Sequence, residues 1–218
     1  MSKKIRLSSI AKKLIMAITG GALVFFLLFH GAMNVVSIFS PEGYDMICEF
    51  LGANWYAIVG TIGLAALMVF HFIFAFVLSW QNWRSRGNQR YAVVGRSEDV
   101  SWAGRNMLII GVIVIFGLGL HLFNFWYKMQ WAEINGFAPA NGMEEIRLTF
   151  GNTFYSITYL IWLTALWLHL SHGIASVMQS IGWNNLVWKR RIDFLGKLFA
   201  AIIVAMFVSV VVYYWLIY

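Results

Sequence analysis

The chain has 218 residues, of which 61% are hydrophobic, 17% aromatic and 11% charged. A water-soluble domain needs about a quarter charged residues to solvate its surface, so this composition excludes a soluble enzyme or binding domain. The formal net charge of +7 does not indicate nucleic-acid binding either, because the basic residues lie in short segments between apolar runs, with no basic stripe interleaved with aromatics.

The one cysteine, Cys48, supports no intrachain disulfide framework and no thiolate iron–sulfur or zinc site, and it reads as a small apolar filler. About twenty residues cross the hydrocarbon core of a bilayer, and the apolar stretches leave room for five such crossings. The sequence therefore predicts an all-α membrane protein, a single five-transmembrane-helix bundle over residues 1–218. The spans are placed at about 13–39, 55–80, 106–127, 152–181 and 194–218. The basic start followed by an apolar run has the look of a leader, but its length, the presence of His30 and the lack of a small-residue cleavage site make it a retained first helix.

Lys3, Lys4, Arg6, Lys12 and Lys13, then Arg84, Arg86, Arg90, Arg96 and Arg105, then Lys189, Arg190, Arg191 and Lys197 fall on one side of the five spans; only Lys128 and Arg147 fall on the other. The positive-inside rule then puts the N-terminus in the cytoplasm and the C-terminus outside. Tryptophans such as Trp55, Trp80, Trp126 and Trp183 sit near span ends, where indoles anchor among headgroups. The two outer connections, about 40–54 and 128–151, are expected to be short loops.

All five histidines, His30, His71, His121, His169 and His172, fall inside predicted spans and on four different helices. An imidazole in hydrocarbon is costly unless it is partnered, so a shared function is the natural reading. At about 1.5 Å per residue, His30 and His121 share a level in the outer half, and His71 and His172 share a second level on the order of 10 Å below it. Two imidazoles facing each other at one depth form the axial arrangement of a b-type haem. Gly117, Ala75 and Ser176, one turn from histidines, would let a flat macrocycle lie close. His169 lies three residues from His172 and is an alternative ligand; His172 is preferred on depth.

The segment Ser8-Ser9-Ile10-Ala11-Lys12-Lys13 to Thr19-Gly20, Leu28-Phe29-His30, one histidine in each of spans two and three, and Leu168-His169-Leu170-Ser171-His172-Gly173 with Gly182-Trp183 follow a recognisable pattern. Over nearly its whole length the chain resembles the type B, di-haem, five-helix cytochrome b subunit of bacterial succinate dehydrogenase and fumarate reductase. The resemblance implies two haem b, a distal one on His30 and His121 and a proximal one on His71 and His172, with menaquinone as membrane substrate. It also implies a cytoplasmic flavoprotein subunit, where the dicarboxylate chemistry resides, an iron–sulfur subunit, and residence in the bacterial cytoplasmic membrane. An acidic residue after the first span, Glu49 or Asp45, would take the quinol proton. Some fumarate-reducing members carry a glutamate two residues before the fourth-span ligand, proposed to conduct protons; that position here is Leu170, which puts such a proton path in doubt. Two other readings stay open: the di-haem cytochrome b of a formate dehydrogenase or hydrogenase, and a metal or proton transporter using the histidines.

Overall fold

Ser8 opens the first helix by accepting the Ala11 N–H on its hydroxyl (3.1 Å), and α1 then runs Ser9–Phe39. The computed structural model describes residues 8–86, 102–183 and 187–218. Ser40 adopts an extended conformation (φ −148°) and breaks the helix, while its hydroxyl accepts the Gly43 N–H and caps α2, Pro41–Phe50. Proline at the first helical position gives up no hydrogen bond there. Then follow α3 (Trp55–Arg86), α4 (Trp102–Arg105), α5 (Met107–His121), a π-helical segment (Leu122–Trp131), α6 (Ala132–Ile134), α7 (Gly142–Phe150), α8 (Thr153–Ser180) and α9 (Lys189–Ile217). Asn141 and Asn152 cap α7 and α8 with their side-chain oxygens, and Gly182, at φ +83°, lets the chain turn away after α8.

Among the described residues, five helices are long and apolar enough to cross a membrane. The chain is a multi-pass, all-helical membrane protein. The connections at 40–54 and 128–151 differ from the loops expected of them: each holds a short amphipathic helix, α2 and α7, whose Ser40-Pro41 and Asn141 starts are ordinary capping signals.

The core lies between α8 and α9, the most closely packed pair. Tyr159, Leu163, Leu166, Leu170 and Ile174 recur every three or four residues and meet Ala200, Ile203, Val204, Val210 and Val211 across the seam. Helix α1 packs on both, and α5 packs on α8. Helix α3 stands apart: it rests on α1, touches α5 lightly and does not pack along α8. Outward faces carry Phe25, Ile62, Phe76, Phe116, Phe154 and Leu216, all exposed, a surface suited to lipid rather than water.

Polar ties mark the two ends of the bundle. At one, Lys12 Nζ donates to Gln81 Oε1 (3.1 Å), joining the start of α1 to the end of α3. At the other, Tyr214 Oη donates to the Ser37 carbonyl (2.7 Å), Asp45 accepts the Met143 N–H (3.0 Å), and Lys128 pairs with the buried Glu145 (2.7 Å). Of the basic residues on which the orientation rests, Lys3, Lys4, Arg6, Arg90 and Arg96 lie outside the described residues.

Cys48 is a free, half-buried thiol on α2, packed against Gly142 with Tyr44 beside it. Burial pushes this thiol up to about 11, against the lowering effect of its hydrogen bond to Tyr44. Because the thiolate is the nucleophile, maleimide labelling at pH 8 is expected to run about a hundredfold slower than for an exposed cysteine, rising about tenfold per pH unit toward pH 11. A time course of labelling across that range reads the effect; ready labelling at pH 8 would contradict it.

Candidate functional site

Four long helices bring the five histidines into two groups inside the bundle, and every imidazole is half-buried. In the first group, His30 of α1 faces His121 at the end of α5, with ring centres 5.8 Å apart at 77°. Phe26 stacks on His30, Phe207 of α9 leans on it, and Phe125, Tyr159 and Trp162 surround His121. Asn34, one turn after His30, donates to the His30 carbonyl (2.8 Å) and accepts from the Tyr44 hydroxyl (3.4 Å). On the far side, the buried Asn124 donates to Tyr159 Oη (3.3 Å).

In the second group, His71 of α3 faces His169 of α8, with ring centres 6.3 Å apart at 68°. His172, which depth preferred as the partner of His71, is not the ring that faces it here. The depth estimate ended the second span at Trp80, whereas α3 continues through Arg86, which sets His71 deeper in the bundle, level with His169. His172 lies one turn nearer the basic end, so close to α4 that a Cβ on Gly104 would stand 2.6 Å from its Cε1. His169 Nδ1 is the one buried side-chain nitrogen or oxygen among the described residues that has no hydrogen-bond partner.

His71 has a defined polar neighbour. Its Nδ1 lies 3.2 Å from Thr19 Oγ1, and that hydroxyl is 2.8 Å from the Ile15 carbonyl. The carbonyl, which can only accept, is the nearer of the two, so we assign the hydroxyl proton to Ile15, with His71 Nδ1–H donating to Thr19 Oγ1. The imidazole is thereby held as the tautomer whose Nε2 carries the lone pair.

The separation of the two groups follows from helix rise. Gly20 lies against His71 and is ten residues from His30 on α1; Gly111 lies against His169 and is ten residues from His121 on α5. Both intervals give about 15 Å, somewhat more than the sequence spacing suggested.

Each pair suits a metal held between two imidazoles. About 2 Å for each metal–nitrogen bond and about 1 Å from each nitrogen to its ring centre put the two rings about 6 Å apart, as in both pairs. Two facing imidazoles on separate helices, one of them held in a defined tautomer at His71, would suit a haem held between them. Gly117, in contrast, does not offer room for a macrocycle. A Cβ there would fall within the indole of Trp162, which fills that space.

Glu49 is exposed near the end of α2, and its carboxylate makes no hydrogen bond among the described residues. Asp45 instead helps line a cleft of about 460 Å³ with Glu42, Asn141, Glu144 and Arg147, between α2 and α7. The residues that hydropathy and spacing passed over are Thr19, Asn34, Asn124 and Tyr159. The visible signal was polar side chains standing within apolar spans, near or one turn from histidines. No protein-family model matches the chain, nor does any curated protein or solved structure.

Proposed function

We propose that this chain is the cytochrome b membrane anchor of a succinate dehydrogenase or fumarate reductase, passing electrons between an iron–sulfur subunit and menaquinone. The observation that carries the proposal is the pair of facing imidazole pairs, at two depths and on four helices, with ring centres 5.8 and 6.3 Å apart. His30 and His121 would hold one haem b, and His71 with His169 the other. Held by these histidines, a haem would supply one-electron transfer.

The chain's own residues prepare these positions. The aromatic ring around His30 and His121 keeps water away and restricts both imidazoles. Thr19 orients His71. At the α2 end, Glu49 has a carboxylate free to accept a quinol proton, while that of Asp45 is engaged by the Met143 N–H. The basic end, with Lys12, Arg105 and Lys189–Arg191, is the cytoplasmic face under the positive-inside rule and the place for the iron–sulfur subunit and the flavoprotein beyond it. The membrane is then the cytoplasmic membrane of a bacterium.

The test is a pyridine haemochrome assay with a reduced-minus-oxidised spectrum on the complex extracted in detergent with its co-purifying subunits. Two haem b per chain, with part of the signal reduced by succinate, is the expected result. Absence of haem would refute the proposal and turn attention to metal or proton transport; two haems reduced by formate or hydrogen instead would move the chain to another quinone-linked dehydrogenase.

A further inference from the structure

Thr19 is 6% exposed within an apolar helix, where a hydroxyl has two possible duties. The first is purely local: bonding back to the carbonyl four residues earlier, as Thr19 does to Ile15. The second reaches across the bundle. Because its one proton is spent on Ile15, Thr19 Oγ1 can only accept from His71 Nδ1–H, 3.2 Å away on α3. Next to it, Gly20 brings α1 so near that a Cβ there would lie 3.3 Å from His71 Cε1, which leaves the ring little freedom to turn.

We infer that Thr19 is a positioning residue for the haem held by His71, fixing the ring as its Nδ1–H tautomer and raising its donor strength at Nε2. The inference rests on the haem reading above. A hydrogen bond accepted from the non-ligating N–H makes an imidazole more basic, and a more basic axial ligand favours the oxidised iron. Losing the acceptor should therefore raise the midpoint potential of this haem and leave the haem of His30 and His121 as it was. A hydroxyl that served only the local back-bond would have no effect on either potential.

The experiment is potentiometry with optical and electron paramagnetic resonance detection on the detergent-extracted complex carrying Thr19→Val or Thr19→Ser, with His71→Ala identifying which wave belongs to which haem. Thr19→Val should keep two haems, with the His71 wave shifted to more positive potential and the other unmoved; Thr19→Ser, which keeps the acceptor, should restore the parent value. Loss of that one haem in Thr19→Val, with recovery in Thr19→Ser, would also support the role. Two haems with an unmoved His71 wave would overturn it, as would equal shifts of both waves or loss of both haems, which mark a general packing role. Absence of haem from the parent protein would overturn the proposed function itself, a result distinct from any of these.

Discussion

His71→Ala and His169→Ala are each expected to lower the haem content from two per chain to one, and to remove the same spectral component, while His172→Ala keeps both. The expectation follows from placement. The His71 and His169 rings face each other at 6.3 Å, whereas His172 is turned against Gly104 of α4. If these two imidazoles hold the haem, removing either would leave it with one protein ligand of the pair. The resemblance to the succinate dehydrogenase anchors points to His172 instead, so the three variants separate the two assignments. If His172→Ala empties the site and His169→Ala does not, the geometric pairing is wrong while the haem reading stands. The assay is haem per chain by pyridine haemochrome, together with the low-temperature difference spectrum.

The second large effect is expected at Gly117. A Cβ at this position of α5 would fall within the indole of Trp162, and that indole cannot easily step aside. Its Nε1–H donates to the Val114 carbonyl (3.1 Å), and its ring lies 5.8 Å from His121 and 5.6 Å from Tyr159. Overpacking a well-filled interface costs about 1–3 kcal/mol, so Gly117→Ala should visibly lower the thermal unfolding midpoint in detergent. The haem of His30 and His121 should be the one disturbed, because displacing Trp162 moves the neighbour of His121. A melting midpoint equal to that of the parent, with both haems retained, would show that α5 and α8 can part at no cost.

Where the helices lie was legible because apolar runs are long and the bilayer sets their length, but where they end was not. Hydropathy stops at Trp80, yet the backbone bonds of α3 continue through Gln81 to Arg86, since a helix can persist among headgroups without apolar side chains. That extension is why the depth count set His71 beside His172, whereas the ring that faces it in the structure is that of His169. His169 and His172 differ by about 60° around α8, and only the packing of neighbouring helices decides which of them looks toward α3. Sequence could name both and rank them by depth; it held no record of how α4 closes on His172. The π-helical turn after His121 was invisible for a related reason. Its wider winding shows in no residue preference, although it sets the buried Gln130 to receive Thr61 and Trp126 and to donate to the Gly52 carbonyl.

The bond from Tyr214 to the Ser37 carbonyl joins residues 177 positions apart, and both partners are buried. During synthesis the first helix therefore leaves the ribosome long before its closest partner exists. It must wait in the bilayer, with the face meant for α9 against lipid, until the last span arrives to lock the bundle. Until α9 arrives, α1 can rest on α3 and α8, but the seam between α8 and α9, the most closely packed of the bundle, stays open to lipid.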